Sequence, residues 1–121
     1  MIVSLSIKDK RDDSERTLEL GEFRAVMDKG ITIGNAADCT VTLECDPAVK
    51  VRIWGMGSQR ILEVLEGEIP VGEKVMKAGV GYPTQSTVAW DGKLNAKYAK
   101  ELRIDRYPFQ LPPFELRLIE T

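Results

Sequence analysis

Histidine is absent from all 121 residues. That single absence removes His-dependent triads, imidazole-ligated metal sites and imidazole proton shuttles from what the chain can do. Neither sign of charge dominates: 17 Lys and Arg stand against 19 Asp and Glu, a net −2. A basic stripe, the usual footprint of nucleic-acid binding, is therefore not expected. Long apolar runs are missing as well. The longest uncharged stretch, Ala78 to Trp90, contains Gly, Pro, Thr, Gln and Ser and is too short and too polar to cross a bilayer. Residues 1–24 carry charge from Lys8 onward and hold no signal-peptide core. The expectation is a single cytoplasmic domain over 1–121, with no membrane insertion by this segment and no nucleic-acid partner.

Cysteine is scarce. Cys39 and Cys45 lie in Cys39-Thr-Val-Thr-Leu-Glu-Cys45, where apolar and polar residues alternate. That period of two, with β-branched Thr and Val, predicts a half-buried strand. Six extended steps separate the thiols by roughly 20 Å, whereas a disulfide needs Cα atoms within about 7 Å. The two are expected to be buried free thiols, and no cofactor or metal site is expected.

What is present is a series of short alternating segments broken by Gly, Pro and Asp. Val3, Leu5 and Ile7 mark an opening strand, Lys8 to Arg16 a solvated turn, and Thr17–Leu20 and Phe23–Met27 two further strands. Asp28-Lys29-Gly30 supplies a turn before Ile31-Thr32-Ile33-Gly34. Asp46-Pro47 separates the cysteine strand from Ala48–Trp54, where Val49, Val51 and Ile53 share one face and Lys50, Arg52 and Trp54 the other. Gly55 to Ser58 reads as a turn, Arg60–Leu65 as a strand, and Val71 to Met76 as short extended pieces around Gly72. Between Asp91 and Leu102 a hairpin turn at Asp91-Gly92 competes with a helix over 93–102, carried by Leu94, Tyr98 and Leu102; the helix is preferred. Phe114 to Ile119 closes the chain. Many short strands with close-set turns predict an all-β antiparallel sandwich.

Chemistry is sparse. Gly55-Met56-Gly57-Ser58 has strand-like sequence on both sides and lacks the helix and Lys of a phosphate loop. No serine-nucleophile element appears, and no pair among the carboxylates stands out, so no catalytic residue is assigned and the chain is not expected to be an enzyme. Lys50, Arg52 and Trp54 place two cations and an indole on one strand face. Such a set can grip an anion, although a solvated face with the Lys and Arg stems lying over the indole is the commoner arrangement.

Three segments together resemble a forkhead-associated (FHA) domain. Ile31-Thr32-Ile33-Gly34 followed by Ala37 to Leu43 is similar to the family's opening strand, small loop and second strand. Asp46-Pro47-Ala48-Val49 resembles the segment leading into its Ser-x-x-His element, and Glu66-Gly67 to Val75 its later Asn-Gly loops. The resemblance implies an eleven-stranded β-sandwich of the SMAD/FHA type whose loops at one end contact partners. The family's phosphothreonine-binding Arg, Ser and two Asn fall here at Asn35, Lys50, Glu66 and Val71, and its structural His at Ile53. Gly34, Asp46-Pro47, Gly67 and Gly72 keep the architectural pattern.

The expected function is accordingly a non-catalytic, phospho-independent protein-interaction or scaffold domain. Its contact surface is expected at Asn35, Asp38, Lys50, Arg52, Trp54, Gly67 and Val71, facing a protein partner within a larger chain or assembly. The alternative is a phosphopeptide or acidic-peptide reader in which Lys50 and Arg52 replace the lost Arg. An unrecognised enzyme is a third reading, resting only on the fact that fold does not fix function.

Overall fold

The computed structural model describes residues 1–56, 59–71, 74–78, 87–89 and 108–121. The segments expected as a helix over 93–102 or a hairpin at Asp91-Gly92, together with Gly57-Ser58, Gly72 and the stretch after Gly79 up to Ser86, lie outside the described residues.

The chain opens with β1 (Ile2–Asp9) and β2 (Ser14–Glu22), an antiparallel hairpin whose turn takes only residues 10–13. The solvated turn expected over Lys8 to Arg16 is thus shorter, because Glu15 and Arg16 continue the ladder opposite Lys8 and Ile7. α1 (Phe23–Lys29) follows. It replaces the strand expected over Phe23–Met27. Phe23, Val26 and Met27 fit an i, i+3, i+4 spacing as well as they fit a short strand, and local capping decides. The Glu22 carboxylate accepts the Ala25 N–H at 3.2 Å. At the other end Gly30, at φ 79°, donates its N–H to the Val26 carbonyl at 2.7 Å. A seven-residue helix is marginal alone, so burial of Val26 and Met27 in the core sustains it.

β3 (Ile31–Gly34), β4 (Val41–Thr42), β5 (Lys50–Met56) and β6 (Gln59–Glu66) come next, then β7 (Glu68–Val71), β8 (Lys74–Lys77), β9 (Thr87–Ala89), β10 (Phe109–Leu111) and β11 (Phe114–Glu120). Among the described residues they form two main sheets, β10-β11-β1-β2 and β4-β3-β5-β6-β9, and a β7-β8 ribbon. All pairings are antiparallel except β3 with β4. The architecture is an all-β, sandwich-like arrangement, as the segment pattern predicts.

The inward faces follow the alternation. Val3, Leu5 and Ile7 from β1 and Leu116 and Leu118 from β11 meet Ile33, Val51, Ile53, Leu62 and Val64 of the second sheet in one core. β5 is its axis: Val51 and Ile53 are fully buried, and each such aliphatic side chain contributes roughly 1.5–3 kcal/mol. In the cysteine segment, Cys39, Val41, Leu43 and Cys45 are buried and Thr40, Thr42 and Glu44 exposed. The alternation therefore holds while only Val41–Thr42 joins a ladder. The Leu43 N–H still closes the parallel ladder on the Gly34 carbonyl of β3 at 2.9 Å, and the chain leaves it beyond Leu43, where the Cys45 N–H bonds back to the Leu43 carbonyl.

Both thiols are free. Burial, with Cys39 adding a smaller effect, pushes the Cys45 thiol up from 9.0 to about 11. The folded protein then holds a proton that the unfolded chain releases, so this contribution to stability is complete below pH 9 and disappears as pH rises from 9 to 11. We expect neither thiol to react with Ellman's reagent in the native protein at pH 8, and both to react once denatured. Rapid reaction of the native protein would contradict the burial.

Candidate functional site at one end of the sandwich

Gly34 ends β3 and Asn35 begins the loop towards β4; Val49 immediately precedes β5. The two backbones come close enough that a Cβ on Gly34 would lie 2.0 Å from the Val49 carbonyl oxygen. Only glycine fits there. On the other side, Gly67 takes φ 80°, and a Cβ there would stand 2.6 Å from the Ala48 oxygen and 3.3 Å from the Val49 Cα. Ala48-Val49 is therefore held between two glycines that are 33 positions apart in sequence.

Asn35 completes the clamp. Its N–H donates to the Val49 carbonyl at 3.0 Å, and its side-chain Oδ1 accepts the Val49 N–H at 2.9 Å. Its Nδ2 donates to the Cys45 carbonyl at 2.9 Å. One short amide thus pins both ends of the Cys45–Val49 loop, which contains a cis Asp46-Pro47 bond. The loop is also tied to the opposite sheet, where the Asp46 N–H donates to the Pro112 carbonyl at 2.8 Å. Gly67 is fixed in turn by the Ala78 N–H, which reaches its carbonyl at 3.0 Å.

Lys50 opens β5 opposite both Gly34 and Glu66. Its ammonium lies 3.3 Å from the Asp38 carboxylate; the Lys50 side chain is 18% exposed and that of Asp38 74%. A pair so open to water is worth about 1 kcal/mol or less, so it orients Lys50 without locking it. Around it, Asp38, Asp46, Glu66 and Glu68 are all exposed. This end of the sandwich is acidic. A phosphate charge about 5 Å from one of these carboxylates would be repelled by about 3 kcal/mol at an effective dielectric of about 20.

Asn35, Asp38, Lys50 and Gly67 are thus brought together. Arg52 and Trp54 belong elsewhere. Two positions further along β5, the Arg52 guanidinium sits 5.3 Å from the Trp54 ring centroid, and its Nη2 donates to the Lys29 carbonyl at 3.5 Å. It covers Gly30, where a Cβ would lie 2.7 Å from Arg52 Nε. Arg52 therefore packs over the C-terminal end of α1 and the indole, the arrangement expected of a solvated face. Trp54 lies opposite buried Ile61, and its buried Nε1 has no hydrogen-bond partner among the described residues. Val71 ends β7 opposite Lys74, and its side chain lies outside the described residues.

The alternation points to Lys50 as a surface residue and leaves Val49 as an ordinary core position. It gives no sign that Val49 is the hub of the clamp, because that role depends on backbone approach. The visible signal is the glycine pair, Gly34 and Gly67. Among the described residues no cluster of three or more Cys, Asp or Glu is arranged to hold a metal ion, and no helix is long and apolar enough to cross a membrane. The chain matches no family model, no curated protein and no solved structure.

Replacing Asn35 by Ala leaves the Val49 N–H and Cys45 carbonyl without their partner, at a cost of about 2 kcal/mol. Asn35→Asp keeps the acceptor for Val49 but sets a carboxylate oxygen against the Cys45 carbonyl in place of a donor, so it is expected to lose at least as much. Urea unfolding of both variants measures this; a loss below about 0.5 kcal/mol for the Ala variant would contradict the clamp.

Proposed function

We propose that the chain is a non-catalytic protein-interaction module of FHA-like fold that engages its partner without reading a phosphate. The observation that carries this reading is the Asn35 side chain. It stands at the position where the resemblance expects a phosphate-binding Arg, and its amide oxygen and one Nδ2 N–H are engaged by Val49 and Cys45. A neutral amide held in this way supplies neither the charge nor the forked donors with which an Arg grips a phosphate. Glu66, at a second ligand position, is exposed and adds a charge of the wrong sign.

The contact surface in this reading is the rim formed by Asp38, Asp46, Glu66 and Glu68 over the rigid Gly34–Val49–Gly67 clamp. A stable scaffold with exposed loops is the usual way a β-sandwich presents a partner surface. Its acidic character favours a partner surface rich in Lys and Arg, with attraction that weakens as salt rises. A phosphopeptide reader built on Lys50 and Arg52 is less well supported, because Arg52 is packed over Trp54 and α1 and cannot act beside Lys50 without leaving both.

Titration calorimetry with phosphothreonine peptides is expected to show no binding up to millimolar concentration. Partners captured from source-cell lysate on the immobilised protein should be lost from the Asp38→Lys/Glu66→Lys variant, with its β-sheet circular dichroism retained. Micromolar phosphopeptide binding that Lys50→Ala abolishes would replace this reading with the phosphate-dependent one.

A further inference from the structure

β2 and β4 are edge strands of the two main sheets, each with a neighbour on one side only among the described residues. The sandwich is open between them. Two clefts lie along this seam, of about 380 and 190 Å³. The larger runs from Ser14–Arg16 of β2 to Thr42–Glu44; the smaller lies between Leu20–Glu22 of β2, Thr40 and the end of α1, where Ala25, Val26, Lys29, Gly30 and Ile31 line it. Ile7, Leu43 and Phe114 give the larger cleft an apolar floor.

At the rim of the larger cleft Arg11 makes a two-point contact on Asp9, at 3.0 and 2.8 Å, and its guanidinium stands 5.5 Å from the Phe114 ring centroid. This exposed pair orients Arg11 without locking it.

We propose that this seam is a second interaction site, which takes up an extended basic segment of another protein by strand addition to β2. Three observations carry the proposal. A nine-residue edge strand presents, on the side where it has no strand neighbour among the described residues, backbone donors and acceptors open to pairing. Glu15, Thr17 and Glu19 alternate on the outward face of that strand, and Glu15, Glu19 and Glu22 are exposed. An added strand would therefore carry cations on its outward face. Its other face would turn towards the clefts, whose centres along β2 are about six residues, roughly 20 Å, apart. Apolar side chains six positions apart reach both. The occupant is thus an alternating segment, basic on one face and apolar on the other.

A second copy of this chain fits the edge less well. A two-fold antiparallel pair centred on Thr17 sets Glu15 against Glu19; one centred on Arg16 or Glu19 sets that residue against its own copy. Among registers that pair five or more β2 residues, those centred on Leu18 and Leu20 alone avoid facing like charges, which destabilise a cross-strand pair. Edge charge of this kind is a common guard against self-pairing.

The probe is a capped nine-residue peptide alternating valine and lysine, with valine at both ends, titrated into ¹⁵N-labelled protein. Expected are amide shifts centred on β2 and residues 40–44, slowed exchange of alternate β2 amides, and at least tenfold weaker binding by Glu19→Lys. The same peptide N-methylated at alternate residues keeps its charge and loses backbone donors; it should bind at least tenfold more weakly. The proposal is overturned by absence of binding at millimolar peptide or by equal binding of the N-methylated peptide. It is equally overturned by sedimentation of the free protein as a dimer with protected β2 amides. Asp38→Lys, at the loop end, should leave peptide binding unchanged, so this site and the loop-end reading succeed or fail separately.

Discussion

Ala48-Val49 passes between Gly34 and Gly67 with no room for a Cβ on either side, and the arrangement of the whole loop end depends on that passage. It sets where β5 begins, and β5 carries the central ladder of the larger sheet, with β3 on one edge and β6 on the other. It also sets where Asn35 and Lys50 stand, because the first follows Gly34 and the second follows Val49. Asn35 then converts close approach into specific bonding, taking the Val49 N–H and giving its own N–H to the Val49 carbonyl. The hydrogen bonds are individually modest, about 1 kcal/mol each net. What makes the passage decisive is steric: a glycine at the end of β3 and another between β6 and β7 must both stay glycine for one backbone to pass.

Much of the fold is legible in the sequence because a period of two is a direct image of a half-buried strand. Val3-Leu5-Ile7, Val49-Val51-Ile53 and Phe114-Leu116-Leu118 all place their apolar members in the core. Phe23–Lys29 reads differently from its appearance because helix and strand are separated there by capping. The Glu22 carboxylate and the positive φ of Gly30 act at the ends of the segment, while the apolar residues inside it satisfy either period. The segment Cys39 to Cys45 shows the converse: its side chains alternate as in a strand throughout, while its backbone pairs with β3 only around Val41–Leu43 and then bonds back on itself at Cys45.

The site is legible in part. The family resemblance puts Asn35, Asp38, Lys50 and Gly67 on one candidate surface, and the structure gathers those four. Alternation groups Lys50 with Arg52 and Trp54, since all three share a strand face. Their neighbours separate them: Lys50 meets Asp38, while Arg52 is drawn over Trp54 and the end of α1. Cross-element partners of this kind leave no trace in local spacing. The same is true of the seam between β2 and β4, which exists only because two edge strands from different sheets come to lie on one side of the sandwich. Both surfaces carry exposed carboxylates, one on loops at the end of the sandwich and the other along β2.

Native-state hydrogen exchange at the Val49 amide tests the central claim most directly. If Val49 is gripped by Asn35 and the two glycines, its amide should exchange only when the protein unfolds globally, with the same free energy as the Val51 and Ile53 amides of β5. Fast exchange of Val49 through a local opening, while β5 stays protected, would contradict the account.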